Sequence, residues 1–323
     1  MKKEPRLLDP SMIPSVLWCQ SSDLLELPND LSKAYVDIVD AYDLRDLGTQ
    51  RDSNRGPVGG LTKESAEQHF AQAFDGSAAR ALLAVLDPKH EAGTTSNTFI
   101  RCTAGNTISL TDAPCGAGAA AFSFLCALAE LRKQKVLPRL PLDVHFIGAE
   151  LSDHSRNLAK EMLERLTPAL TEQAIFVTSQ FISWNVLDPM STTDLVSRCV
   201  RTSSDSSSKL LVVANFNGFL EKDNKRESAK KQLDELFRYA SGEQSFAVWI
   251  EPAMNEATTS GGLLPWLHKQ FTTVWKRFGN YKFDQDGQDL IYVSTARFKL
   301  PLLPSETSRV TLAVMPIELK RSS

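Results

Sequence analysis

The chain has 323 residues, 42% of them hydrophobic and 23% charged, which is enough apolar material for one large core or two smaller ones. Its 36 basic and 39 acidic residues leave a formal net charge of −3, which argues against a dominant basic surface of the kind that grips nucleic acid non-specifically. Five scattered cysteines (Cys19, Cys102, Cys115, Cys126 and Cys199) form no C-x-x-C pair and no metal-ligand spacing with histidine. The expectation is therefore reduced thiols, a cytoplasmic location and no bound metal.

The N-terminal stretch MKKEPRLLDPSMIPSVLW starts basic, but Asp9 and three prolines interrupt it, so it lacks the apolar run of a signal peptide. Leu31, Ala34, Tyr35, Ile38, Val39 and Tyr42 then recur at helical spacing, which reads Tyr35 and Tyr42 as core stripe rather than as a lid over a ligand. RDSNRGPVGG is loop by composition. A helix is predicted from an N-cap at Thr62, with Glu64 in its first turn, to a stop near Pro88. KHEAGTTSNT reads as a linker. Residues 1–97 are thus expected to form a helical extension or lid, through which a partner protein could bind.

From about residue 98 the pattern alternates. NTISLTD, LDVHFIGAEL, QAIFVTSQFI, KLLVVANF and QSFAVWIEP read as strands with helices between them, Asp153 being the expected cap of the second. A helix is predicted over LLPWLHKQFTTVWKRF, and DLIYVSTARFKL and SRVTLAVMPIEL close the chain as a hairpin. The uncharged run from Ala113 to Ala129 opens on Pro114, Gly116 and Gly118 and falls short of the ~20 residues of a membrane span, so it reads as a buried helix. Strands alternating with helices imply an α/β fold over 98–323, a doubly wound, mostly parallel seven-stranded sheet with an antiparallel C-terminal hairpin strand.

Ligands of such sheets bind beyond the carboxyl ends of the strands. The first strand there ends at TDAPCGAG, where Gly116 and Gly118 let main chain approach a ligand and the next helix points its free N–H groups at the same spot. Gly116, Gly118 and Ala121 also satisfy the G-x-G-x-x-G/A fingerprint of a nicotinamide-dependent oxidoreductase. Asp112 would repel a pyrophosphate at that position, and the gap from Gly118 to Glu150 exceeds the ~20 residues expected. A nucleoside ligand with a cationic centre suits the two acids better. Glu150, ending the next strand, stands where a carboxylate accepts both hydroxyls of a ribose.

TDAPCGAG resembles the first motif of class I S-adenosylmethionine-dependent methyltransferases, and GAELSDHSRNLA resembles their second, over about residues 105–315. The resemblance implies a Rossmann-like domain using S-adenosylmethionine to methylate a small molecule, a protein or an RNA. It places Asp112 near the methionine part, Gly116 and Gly118 around it, Glu150 on the ribose, Leu151 against the adenine and Asp188 at the adenine amino group. The fourth strand, VVANFNGF, would present substrate-facing residues, Asn215 and Asn217, with Glu251 at the end of the fifth. Pro114 stands where the family has its first glycine, and NFNGF departs from the motif of amino-group methylators. That departure leaves open a catalytically inactive, methyltransferase-like scaffold for a partner protein. Cys115 reads as a packing residue, and the run EKDNKRESAKK as a solvated helix face.

Overall fold

The computed structural model describes residues 5–50, 60–222, 225–240, 244–253, 258, 262–267 and 291–318. Most of the helix expected over LLPWLHKQFTTVWKRF lies outside the described residues. Five strands run parallel: β3 (Thr107–Asp112), β4 (Leu142–Ala149), β5 (Ile175–Ile182), β6 (Ser208–Ala214) and β7 (Ser245–Glu251). The expected hairpin is present as β8 (Tyr292–Lys299) and β9 (Thr307–Glu318), with β9 antiparallel to β7. Two short strands, β1 (Trp18–Cys19) and β2 (Leu24–Leu25), extend the sheet beyond β8.

The sheet therefore has nine strands, not seven, in the order β1-β2-β8-β9-β7-β6-β3-β4-β5. The two extra strands are two residues each and carry no period-2 alternation to recognise. Among the seven expected strands the mostly parallel, doubly wound reading holds. From β3 the chain moves outward through β4 and β5, then crosses back to β6 on the other side. The point between β3 and β6 is the topological switch of the sheet.

Along β6, Leu210, Val212 and Ala214 enter one apolar core and Leu211 and Val213 the other, as a strand buried on both faces requires. Helices α7 (Pro189–Thr202) and α9 (Arg226–Ala240) cover the second face. The first face carries α5 (Ala119–Lys133) and α6 (Asp153–Glu172), and the N-terminal helices α1 (Asn29–Ala41), α2 (Arg45–Thr49) and α3 (Lys63–Leu86) pack over these. Fully buried alanines on α3 (Ala71, Ala78, Ala79, Ala84) and α5 (Ala121, Ala127) allow close approach of the two helices. One continuous core joins residues of 1–97 to residues of the sheet domain, and the apolar stripe of α1 is spent inside it.

Two local expectations change. The linker before residue 98 contains a short helix, α4 (Thr95–Cys102), which its threonine-rich composition hides. The cap of α6 is Ser152, whose Oγ accepts from the Ser155 N–H at 3.3 Å. Asp153 is the first helical residue instead and pairs with Arg156. Thr62 caps α3 as predicted, accepting from the Ser65 N–H, and the helix ends at Asp87 in a left-handed conformation just before Pro88.

Candidate functional site

A cleft with a cavity of about 460 Å³ opens at the switch point, over the carboxyl ends of β3, β4, β5 and β6. Register puts Asp112, the last residue of β3, opposite Gly148 of β4 and Val212 of β6, so the three strands end within two residues of one another. Asp112, Pro114, Gly116, Glu150, Leu151 and Asn215 all line the cavity.

The turn after β3 is built to bring bare main chain to Glu150. A cis peptide bond precedes Pro114, and the Cys115 N–H donates to the Ala149 carbonyl of β4 at 2.9 Å. Gly116 and Gly118 both have positive φ, at +52° and +84°. A Cβ on Gly116 would meet nothing within 4 Å and would project into open space, whereas one on Gly118 would stand 2.1 Å from the Phe122 ring. Gly118 is thus required for packing, and Gly116 keeps the cleft clear.

The Gly116 N–H donates to Glu150 Oε2 at 3.2 Å, and the Ser152 N–H donates to Glu150 Oε1 at 2.9 Å. The loop and the acid of consecutive strands therefore meet across one hollow. Each carboxylate oxygen retains a second lone pair for a ligand hydroxyl. Burial raises the Glu150 carboxyl above its ordinary range, and these two N–H groups partly offset the effect.

Asp112 is fully buried. Its Oδ2 accepts from the Ala121 N–H in the first turn of α5 at 3.3 Å, while Oδ1 has no hydrogen-bond partner among the described residues. Burial pushes this carboxyl up to about 8, and the Glu150 charge adds to the shift against the pull of the Ala121 N–H. A buried acceptor without a partner, on a cavity wall, is suited to a cationic donor from a ligand. Cys115 also lines the cavity, but burial and the charges of Asp112 and Glu150 hold its thiol protonated, as a packing residue requires.

Four of the predicted residues stand elsewhere. Gly118, expected around the cofactor, is off the cavity wall and packs against the Phe122 ring instead. Asp188 is exposed and caps α7 by accepting from the Met190 N–H at 2.9 Å; Trp184, Asn185 and Val186 line the cavity beyond β5 in its place. Asn217 is buried in the first turn of α8 (Asn217–Glu221) and is absent from the lining. Glu251 is buried beneath that turn, and its Oε1 accepts from the N–H groups of Phe216 and Asn217 and from the Trp249 indole at 2.7–3.0 Å. Burial pushes Glu251 up to about 7, against those donors and Arg80. Arg80 reaches across from α3 to bond Asn215 Oδ1 and the Thr311 carbonyl.

The other half of the cleft was not legible in the sequence. His69, Phe70, Phe74 and Ser77 of α3 form one wall, with Gly60 and Leu61 just before that helix. Phe216 and Phe219, Lys222 and Lys225 form the other. The Phe216 and Phe219 rings stack at 5.2 Å, and Lys225 Nζ lies 4.6 Å from the Phe219 ring centre. Tyr35 lies in the core, donating to the Ala71 carbonyl, whereas Tyr42, expected beside it in the core stripe, is exposed just past the end of α1 and donates to Glu161; neither lines the cleft. The periodicity of α3 marks Phe70 and Phe74 as buried, and only the fold shows that they also face a cavity.

Among the described residues no group of histidine, cysteine or acidic side chains is arranged to hold a metal ion, and no helix is long and apolar enough to cross a membrane. No protein-family model matches the chain, and no curated protein matches it. Among solved structures it is similar to a precorrin-6y C5,15-methyltransferase from Geobacter metallireducens GS-15, with 9% identity over 69% of this chain and 86% of that one, at a TM-score of 0.34. It is also similar to a putative class I S-adenosylmethionine-dependent methyltransferase from Listeria monocytogenes, with 12% identity over 92% and 87% and a TM-score of 0.33. A third is TehB from Haemophilus influenzae, with 9% identity over 75% and 67% and a TM-score of 0.34. At these identities and TM-scores the likenesses do not bear on what this chain binds, which rests on the geometry of its own cleft.

Proposed function

We propose that the chain is an S-adenosylmethionine-dependent methyltransferase. The observation that carries this reading is the contact of the Gly116 N–H with Glu150 at the switch point, beside the partnerless Oδ1 of Asp112. Bare main chain, a sugar-accepting carboxylate and a buried acceptor for a cation share one cavity, and the residues present fit that cofactor.

When bound, the cofactor supplies a methyl group on a sulfonium sulfur. Asp112 Oδ1 would accept from its ammonium group and Glu150 from its ribose hydroxyls. Leu151, Trp184 and Val186 would pack against the adenine. Asp188 caps α7 away from the cavity wall; Asn185 lines the wall, its Oδ1 accepting from the Leu187 N–H at 3.0 Å, and would offer its side-chain N–H groups to the adenine edge. The chain's part in methyl transfer is mainly to align the reactants and keep out water, so few side chains need to react.

A dinucleotide suits the cleft less well. Its pyrophosphate would meet the Glu150 carboxylate, and the Ala121 N–H that would receive it is already bonded to Asp112. Isothermal titration with S-adenosylmethionine, alongside NADH, tests the assignment. Binding of the first in the micromolar range and not of the second is expected; no heat from S-adenosylmethionine at high micromolar concentration would sink the reading.

A further inference from the structure

The half of the cleft under α3 holds a side chain that neither the core nor the cofactor reading uses. His69 stands on the cavity wall with Phe70, Phe74, Phe216 and Phe219. It makes no hydrogen bond or ion pair among the described residues, unlike the buried polar groups that hold the fold together (Asp87, Glu251). It is the only histidine on the cavity wall among the described residues. A core histidine is ordinarily satisfied; this one faces space.

The geometry points to His69 as the group that takes the proton from the methyl acceptor, an acceptor that presents a flat ring between the Phe70/Phe74 and Phe216/Phe219 walls and reacts at an N–H or O–H. The inference rests on the methyltransferase reading and deepens it. In the step, a lone pair of the acceptor nitrogen or oxygen forms the new bond to the methyl carbon. The carbon–sulfur bond breaks with its electron pair passing to sulfur. The acceptor's proton passes to the unprotonated imidazole nitrogen of His69 and from there to water. Burial lowers the pKa of His69, which keeps the ring neutral and able to accept. The other titratable groups on the cleft wall are Asp112 of β3, Cys115 of the following turn, Glu150 of β4, and Lys222 and Lys225 after α8. The two lysines stand on the wall that faces α3, the acids stand at the strand ends, and burial alone lowers the His69 pKa.

The test uses the full chain with 13C-labelled histidine, His69→Gln identifying the resonance. In the free protein the His69 signal should titrate below the ordinary histidine range. Saturating S-adenosylmethionine should lower the midpoint further, by roughly one pH unit, because a fixed positive charge nearby disfavours imidazolium. S-adenosylhomocysteine, whose sulfur is neutral, should lower it much less. His69→Gln should bind S-adenosylmethionine within about twofold of the parent and melt at a similar temperature, since the imidazole holds nothing in place. Equal midpoints with the two ligands, both shown bound by calorimetry, would overturn the assignment of His69 and leave the methyltransferase reading standing. A tenfold loss of cofactor affinity in His69→Gln would also overturn it, by moving His69 into the cofactor half. Absence of calorimetric binding by either ligand would overturn both.

Discussion

Asp112 sits where its own charge is opposed. With the carboxyl raised to about 8 from an ordinary 3.8, the folded chain holds a proton that the unfolded chain has lost by neutral pH. The stability this group contributes is therefore fully present below about pH 4 and falls as pH rises towards 8. Asp112→Asn should flatten that part of the thermal-stability profile, as followed by differential scanning calorimetry. A cationic ligand reverses the preference. Binding of S-adenosylmethionine near pH 7 should release a proton from Asp112, so its measured enthalpy should change with the ionisation enthalpy of the buffer, and Asp112→Asn should abolish that dependence.

Glu150→Ala removes the acceptor shared by the Gly116 and Ser152 N–H groups and by the expected ribose. Its affinity for S-adenosylmethionine should fall by about 1–3 kcal/mol, roughly five- to 150-fold in calorimetry. An unchanged value would remove Glu150 from the site. The two glycines should separate by what surrounds them. Gly118→Ala places a methyl group against Phe122 and should lower the melting temperature more than Gly116→Ala. Gly116→Ala costs about 1–2 kcal/mol for its left-handed backbone and should chiefly weaken ligand binding.

At the level of elements, the turn from β6 into α8 is held from beneath. Glu251 at the end of β7 gathers two backbone N–H groups of that turn and the Trp249 indole, and Arg80 of α3 ties Asn215. The fourth-strand loop, the aromatic wall that follows it and the N-terminal helix are thereby fixed relative to one another. Glu251→Ala strands three buried donors and should cost several kcal/mol, at about 1–3 kcal/mol for each unsatisfied group, read as a fall in the urea midpoint. Glu251→Gln keeps one carbonyl acceptor and should lose markedly less. An equal loss in both would mean that the carboxylate charge, rather than its hydrogen bonds, holds the turn.

The whole molecule shares one core across the two segments that composition separates. Leu31, Tyr35 and Ile38 of α1 and Phe70 and Leu82 of α3 lie in the same cluster as Phe122 of α5 and Val144 of β4. A chain beginning at residue 98 would expose that face of α5 and α6 and one wall of the cleft. It should aggregate or lose the cooperative melting transition of the full chain, as scanning calorimetry would show; a soluble, cooperatively melting fragment would mean that residues 1–97 are a separable extension.

The sequence by itself determined the parts whose cause is local. Short apolar runs alternating with helical segments set the strands that carry the site, a threonine cap and a proline stop set α3, and small residues beside an acid marked the turn at Gly116. The acid–glycine pairing was legible because strand ends and the turns after them are fixed by nearby residues. Asp188 and Glu251 were legible only as acids near strand ends; whether such a side chain caps its own helix, props a neighbouring turn or faces a ligand depends on contacts with residues distant in sequence. The two-residue strand β2 depends on the edge that β8 offers, and β1 in turn pairs with β2. His69 and the phenylalanines of α3 show the same limit: helical periodicity says that a face is covered, and only tertiary packing decides whether a neighbouring helix or an open cleft covers it.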